Sequence, residues 1–296
     1  MPRRAGGPGQ RAASKEWREM RCFYINLDVA AQRRRSLEAN FAETRKAEWS
    51  LTRIAAIDAG YIEANEIGGS STPAEKGCFL SHKKALRESM NDDEAVFILE
   101  DDAMFGSDTC NIVEQLPEFA KDLEWDIVFT DAAVPLIGDM SGLVTLRHEL
   151  DDKKEIRLIN LKEFSFAGST AYIVKGTSKK RLLDVIDSQV EINEPYDLFL
   201  RKKIHGGDIN GLLCFPFITS TSELSFLTSI QDGNEKKPGH RKADLIWDLF
   251  RKLTWIERDM ERHRLALTVI DQSLSEEDRA FGILWAAQSA KGFEVK

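Results

Sequence analysis

Long apolar runs and an excess of positive charge are both missing from this sequence. No apolar stretch in its 296 residues approaches the roughly 20 needed to cross a bilayer, which excludes a transmembrane helix. The net charge of −8, from 49 acidic and 41 basic residues, gives no sign of nucleic-acid binding. The basic, Gly- and Pro-containing start has no apolar segment of a secretory signal. We therefore expect a disordered tail over residues 1–20 and a cytoplasmic protein.

Cysteine is also scarce, because the chain has four and no two of them are spaced as CxxC. Three of the four lie in apolar surroundings. We interpret the whole set as reduced core thiols, which excludes a disulfide framework and a zinc site built on cysteine pairs. The cysteines are Cys22, Cys78, Cys110 and Cys214.

The most informative stretch joins an apolar strand to three acids. Val96 to Leu99 predicts a strand buried on both faces, and Glu100, Asp101 and Asp102 follow directly. Unpaired buried charge is unfavourable, so we expect the acids just beyond the strand, where open α/β sheets bind ligands. In an extended segment, Glu100 and Asp102 point to one side and can share a Mg²⁺ or Mn²⁺ ion, with Asp101 facing away. The alternative is a solvated acidic turn.

Two earlier strands also end in polar residues. Residues 22–27 predict a strand, after which Asp28 caps a helix with arginines at 33–35. That arrangement suits an anionic ligand over the helix start, although a solvated basic face is the alternative. A second strand over 51–57 ends at Asp58, which suits a ribose or base edge or a simple turn.

Strands and helices alternate along the rest of the chain, which indicates a nucleotide-binding α/β domain. The expected strands are at 126–130, ending at Asp131, at 144–146, 156–159 and 171–174, and late in the chain at 215–218. The expected helices run from Gly77 to Met90, which contains His82, and over 112–123; a third is capped by Thr177 or Ser178, and a fourth starts at Asp197 after an extended approach at Pro195. Loops are expected at 60–76 and 164–170.

Composition changes at 231–243, where we place a linker. Apolar residues at helical spacing from Leu245 to Met260 predict a helix, with Arg251 and Lys252 on its polar face. We expect this helix to dock rather than to take part in chemistry. It packs back on the domain, forms a homodimer, or lies on a membrane surface beside two tryptophans.

Five short motifs in this order resemble glycosyltransferase family 25, which includes bacterial lipooligosaccharide galactosyltransferases and procollagen galactosyltransferases. They span most of residues 22–230. The motifs are Tyr24 to Asp28 with Arg33 and Arg34, Gly77 to His82, Ile98 to Asp102, Ser169 to Tyr172, and Pro195 to Asp197.

The resemblance implies a GT-A-like catalytic domain with a mixed sheet over 21–232, followed by a helical extension over 233–296. It also implies a UDP-sugar donor (most often UDP-galactose), a divalent cation, a glycan or glycolipid acceptor and a β-linkage formed with inversion. Glu100 and Asp102 match the metal motif. The donor-side residues that we carry over or add are Asn26, Leu27, Asp28, Arg33, Asp58, Gly77, Ser81, His82, Asp101, Ser169 and Thr170.

Two departures from the family pattern matter. Gln32 stands where the family often has Glu, and Asp131 follows a strand that the family often continues without an acid. The second departure leaves two candidates for the catalytic base. We favour Asp197, at a helix start on the acceptor side, while Asp131 holds donor hydroxyls or is itself the base.

Two other functions remain as alternatives. A sugar nucleotidyltransferase uses a similar sheet and metal carboxylates, but the glycine-rich, lysine-bearing loop that it needs after the first strand is missing. A non-catalytic nucleotide-sugar-binding module is the second alternative, although the intact set of acids argues against it.

Overall fold

The computed structural model describes residues 19–153, 155–226, 238–257, 275–278 and 280. Nine strands and eight α-helices lie in these ranges. The strands are β1 (Arg21–Asn26), β2 (Ser50–Ala55), β3 (Val96–Glu100), β4 (Ala103–Phe105), β5 (Ile127–Phe129), β6 (Arg157–Asn160), β7 (Ala171–Val174), β8 (Gly211–Phe215) and β9 (Thr219–Thr221). The helices are α1 (Ala31–Thr44), α2 (Ala59–Ala64), α3 (Pro73–Glu88), α4 (Thr109–Phe119), α5 (Ile137–Lys153), α6 (Lys179–Asp187), α7 (Tyr196–Gly206) and α8 (Pro238–Thr254).

A seven-stranded mixed sheet forms the centre of the fold, in the order β2-β1-β3-β7-β5-β8-β6. Strands β2, β1 and β3 are mutually parallel, β7 runs antiparallel to both β3 and β5, and β6 closes the far edge antiparallel to β8. A separate two-stranded ribbon pairs β4 with β9. The predicted mixed α/β class is thereby confirmed.

The central strand β3 is buried on both faces, as its sequence predicts. Val96, Phe97, Ile98 and Leu99 are fully buried, and they alternate between two apolar layers. One layer packs under α3, α6 and α7, and the other packs against α1 and α4. Glu100 is the last residue of β3 and lies where the two apolar layers end. The acids therefore lie at the C-terminal end of β3.

The predicted loop over 60–76 is wrong at both ends, because α2 and the start of α3 fall within it. Thr72 forms a capping box with Glu75, and Pro73 occupies the first helical turn. The predicted short strand at 144–146 is also wrong, because those residues belong to α5. The buried side chains of α5 recur at helical spacing, at Met140, Leu143 and Leu150.

Two predicted caps are not formed. Asp28 does not cap α1, whose N-cap is Ala30, because the Asp28 carboxylate is instead 2.5 Å from Nη2 of Arg53. Ser178 occupies the N-cap position of α6 without a side-chain capping bond. A 3₁₀ turn (Gly176–Ser178) leads into the helix there.

The last described helix, α8, begins inside the predicted linker, so residues 238–243 are helical. The remainder of that linker, 231–237, and residues 258–260 of the predicted helix lie outside the described residues. Helix α8 packs on the sheet domain through the buried Phe250, and Phe217 N–H donates to the Thr254 carbonyl at 3.1 Å. Among the described helices, none has the length and apolar character that crossing a bilayer requires.

Candidate active site

Arg33, on α1, and Asn26, at the end of β1, contact the acids that follow β3. Nε of Arg33 lies 2.9 Å from Oδ1 of Asp101, and its Nη2 lies 2.5 Å from Oδ2 of Asp102. Asn26, at the end of β1, donates from Nδ2 to Oδ2 of Asp101 at 2.7 Å. Two motifs that are far apart in the sequence therefore form one cluster at the carboxyl ends of neighbouring parallel strands.

This arrangement corrects one expectation about the side chains. Asp101 and Asp102 share Arg33, whereas Glu100 turns toward His82. The alternation of an extended chain does not apply, because the strand ends at Glu100 and the next two residues form a turn. The solvated acidic turn is excluded as well, since Asp101 and Asp102 are both buried.

Glu100 is the end of a buried hydrogen-bonded chain. Nδ1 of His82 lies 3.0 Å from the Tyr172 hydroxyl, and that hydroxyl lies 3.1 Å from the Tyr196 hydroxyl. On the other side of the ring, Nε2 lies 3.3 Å from Oγ of Ser169, which donates to Oε1 of Glu100 at 2.8 Å. With the proton of a neutral imidazole on Nε2, every contact in the chain has a donor and an acceptor.

Opposing effects act on the Glu100 carboxyl. Burial by itself raises the pKa of Glu100, but hydrogen bonds from His82 and Ser169, together with the charge of Arg33, hold that pKa below its ordinary value. Glu100 is therefore kept as an anion. This buried histidine is a packed residue that orients an acid, rather than a residue of the helix surface.

Two other carboxylates have oxygens that form no hydrogen bond. Oδ1 of Asp102 and both side-chain oxygens of Asp131 are buried without a hydrogen bond. Burial raises the pKa of Asp102 well above its ordinary value, with Glu100 and Asp101 adding to the rise and Arg33 opposing it. Burial likewise raises the pKa of Asp131 to about 6. Buried acids without compensation are the environment that a bound divalent cation stabilises.

A different set of potential metal ligands lies directly beside these acids. Cys78, His82 and Glu100 offer ligand atoms that all lie within 4.8 Å of one another. Burial and the neighbouring carboxylates raise the pKa of the Cys78 thiol well above its ordinary value, so the sulfur carries a proton in the absence of metal. The interpretation of Cys78 as a plain core thiol was therefore incomplete. The signal for this cluster is the i, i+4 spacing of Cys78 and His82 on one helix.

Several predicted donor-side residues have structural roles. Ser81 donates from Oγ to the Gly77 carbonyl at 2.6 Å and accepts from Ile57 N–H at 2.8 Å. Gly77 permits close packing there, since an added Cβ would lie 2.4 Å from the Ile57 carbonyl oxygen. Asp58 caps α2 by accepting from Tyr61 N–H at 2.7 Å.

Two further predicted residues contribute through their backbone. The Leu27 carbonyl accepts from Ala30 N–H at 3.0 Å, and the Thr170 carbonyl accepts from Glu100 N–H at 2.7 Å. Donor contacts by these residues, and by the exposed Asp28, remain predictions.

The two candidate bases, Asp197 and Asp131, lie near the loop that contains Gly168, a glycine with a positive φ. Asp197 lies in the first turn of α7, and its Oδ2 accepts from Gly168 N–H at 2.7 Å. Gly168 has a φ of 90°, and an added Cβ there would lie 3.2 Å from Nη2 of Arg251. Nε of Arg251 lies 3.8 Å from Oδ2 of Asp131. Arg251 thus reaches the acidic cluster from α8.

Arg251 lies in the candidate site, and the sequence did not predict this position. Helical periodicity placed it on a polar face, yet it is buried against the domain. No motif signals this contact, because it depends on how α8 docks after residues that lie outside the described ranges.

The sequence of the chain matches the profile of a known protein family. The profile of a family described as glycosyltransferase family 25 (LPS biosynthesis protein) matches residues 20–200, more than half of the chain. The chain belongs to glycosyltransferase family 25. Its membership implies a nucleotide-sugar donor and a glycan acceptor, and it confirms the resemblance of the five motifs. The matched range includes Arg33, the acids after β3 and Asp197, but it ends before α8. No curated protein matches the chain.

Proposed function

We propose that this member of family 25 is a metal-dependent, inverting hexosyltransferase that moves galactose from UDP-galactose to a hydroxyl of a glycan or glycolipid, forming a β-linkage. The proposal rests on one observation above the others. Asp102 presents a buried, unpartnered oxygen at the end of β3, in the same cluster as Glu100. Family membership favours transfer over the nucleotidyltransferase and binding-module alternatives.

A divalent cation suits this cluster because several buried acids are compensated there by few bases. Glu100 and Asp102 would hold it, and hard oxygen ligands of this kind favour Mn²⁺ or Mg²⁺. When bound, such an ion supplies positive charge for the diphosphate of the departing nucleotide. The neighbouring Cys78, His82 and Glu100 form an alternative set, whose sulfur and nitrogen atoms suit Zn²⁺ better.

The surrounding residues fix the acids before any ligand arrives. Arg33 orients Asp101 and Asp102 together, so that one oxygen of Asp102 is committed and the other is left available. His82 and Ser169 hold Glu100 ionised from the opposite side. Preorganised groups of this kind stabilise developing charge without rearranging during the reaction.

Asp197 is our candidate for the base. One of its oxygens accepts from Gly168 N–H, which fixes the carboxylate, and its place in the first turn of α7 favours the anion. In the proposed reaction the acceptor oxygen bonds to the anomeric carbon as the bond from that carbon to the diphosphate oxygen breaks. The hydroxyl proton passes to Asp197, and UDP leaves with the bonding electron pair. Asp131 then contacts hydroxyls of the transferred sugar.

Ligand-dependent thermal unfolding tests the donor and the metal together. We expect UDP-galactose with Mn²⁺ to raise the melting temperature more than UDP-glucose or UDP-N-acetylglucosamine does, because a ligand that binds only the native state stabilises it. Asp102→Ala should abolish this shift. Asp184→Ala, which removes a carboxylate on α6 that pairs with Lys180, is the matched control and should retain it. Equal shifts with all three sugars contradict the galactose assignment, and full shifts in EDTA contradict the metal.

A further inference from the structure

Helix α8 is attached to the domain at the same edge as the acids. The Thr254 carbonyl accepts from Phe217 N–H at 3.1 Å, and Ile256 N–H donates to the Phe217 carbonyl at 2.9 Å. Asp248, one turn before Arg251, accepts from Oγ1 of Thr221 at 2.7 Å. These hydrogen bonds fix the orientation of α8 on the domain. The position of Arg251 beside the candidate site therefore follows from the packing of α8.

Asp131 contrasts with Asp126 near the other end of the same strand, β5. Asp126 is buried, but Arg181 reaches it with bonds of 3.2 and 3.1 Å and Asn210 N–H donates to it at 2.8 Å. Asp131 is 1% exposed and has no hydrogen bond, and Arg251 approaches it only to 3.8 Å. A buried structural carboxylate is normally satisfied as Asp126 is. The bonding capacity of Asp131 is therefore left for another group.

The charged groups around Asp131 act on its ionisation in opposite directions. Glu100 and Asp248 both oppose ionisation of Asp131, and Arg251 favours it. Nε of Arg251 is itself buried without a hydrogen bond. The positive charge of Arg251 therefore compensates the carboxylate without a hydrogen bond between Nε and Asp131.

We propose that Arg251 is a positioning residue of the donor site, which keeps Asp131 ionised and oriented to accept hydrogen bonds from hydroxyls of the transferred sugar. This inference rests on the proposed function, because it assumes that a nucleotide sugar occupies the site. It makes α8, which lies beyond the family match, part of the active site rather than a docking element.

Binding selectivity separates this role from a structural one. Affinities for UDP and for UDP-galactose are measured by calorimetry with Mn²⁺ present, in the full chain. In Arg251→Met we expect UDP affinity to change by less than about twofold, and UDP-galactose affinity to fall about tenfold or more, since hydrogen bonds to charged groups are the stronger class. Asp131→Asn should give the same sugar-selective loss. The double variant should lose little more than either single one, because both act on the same contacts.

Arg181→Met is the matched control, because it breaks the structural pair with Asp126 at the other end of β5. It should lower the melting temperature and leave the ratio of the two affinities unchanged. Should Arg251→Met fail to fold, Arg251→Gln removes the charge that compensates Asp131 but keeps a long polar side chain, and it should show the same selective loss.

Three results would overturn the inference. Equal weakening of UDP and UDP-galactose in the folded Arg251 variant would show a diphosphate contact or a structural role. An unchanged affinity ratio would show no role in sugar binding. A wild-type protein that binds neither ligand would overturn the proposed donor as well, whereas the first two results leave the proposed function standing.

Discussion

The imidazole ring of His82 stacks on the phenol ring of Tyr196, with ring centroids 4.3 Å apart and planes 6° from parallel. Because Tyr196 starts α7 and His82 lies in the middle of α3, this contact joins the helix of the candidate base to the helix that supports Glu100. The stacking fixes the ring plane, and the two ring nitrogens then point at Tyr172 and at Ser169 with Glu100. The stacked rings of His82 and Tyr196 thus support both the proposed metal ligand Glu100 and the helix of the candidate base.

His82→Phe keeps the stacked ring and removes both nitrogens. We expect a folded protein whose apparent affinity for Mn²⁺ falls about 10- to 100-fold, the range found when the partner of a metal ligand is removed. The loss should be greater at pH 5 than at pH 8, because without His82 the pKa of Glu100 is no longer held down and protons compete with the metal. The measurement is activity against Mn²⁺ concentration at both pH values. An unchanged Mn²⁺ requirement would show that His82 does not support a metal ligand.

Asp102→Ala and Cys78→Ser distinguish the two candidate metal sites. If the ion is held by Glu100 and Asp102, Asp102→Ala abolishes Mn²⁺-dependent transfer and Cys78→Ser changes it by less than about threefold, because the protonated thiol is not a ligand. Metal content and transfer rate are measured for both variants after exchange into Mn²⁺ and into Zn²⁺. The opposite result, with loss in Cys78→Ser alone and activity restored by Zn²⁺ in the wild type, would assign the ion to Cys78, His82 and Glu100.

The sequence predicted the features that depend on local composition. The apolar run from Val96 to Leu99 predicts a buried strand, because a strand that is buried on both faces requires an unbroken apolar sequence. The acids that follow must then lie at the sheet edge, where the structure has them. The short strand predicted at 144–146 was wrong because three residues are too few to distinguish a strand from part of a helix.

The features that the sequence did not predict are long-range. Arg33 bridging Asp101 and Asp102 requires the register of β1 against β3, which no single segment encodes. The contact of Arg251 with Asp131 requires the docking of α8, and its polar character suggested solvent exposure instead. Residues that are polar, buried and distant in sequence are those for which periodicity gives the wrong environment.

The pH dependence of stability should report the burial of Asp131. Its pKa is raised from 3.8 to about 6 in the folded protein, so the folded state binds the proton more tightly than the unfolded chain does. The associated stability is fully present below about pH 4 and is lost as the pH rises through 6. At pH 8 and without metal, Asp131→Asn should therefore raise the free energy of unfolding by about 2–3 kcal/mol relative to its effect at pH 4.

Urea unfolding at the two pH values, with EDTA present, measures this difference. Asp126→Asn is the control, because its carboxylate is compensated by Arg181, and it should destabilise the protein at pH 8. A loss of stability in Asp131→Asn at pH 8 would mean that Asp131 is better compensated than its missing hydrogen bonds indicate.

The identity of the base is the sharpest test of the proposed chemistry. Asp197→Asn keeps the size of the side chain and an oxygen that accepts from Gly168 N–H, but it removes the group that takes the proton. We expect kcat to fall by about 10² or more, with the affinity for UDP-galactose changed by less than about threefold. Asp131→Asn should show the reverse pattern, weaker sugar binding with a smaller effect on kcat once donor is saturating. If Asp131→Asn instead lowers kcat at saturating donor while Asp197→Asn turns over normally, the two carboxylates exchange roles. Asp131 would then be the base that Arg251 keeps ionised.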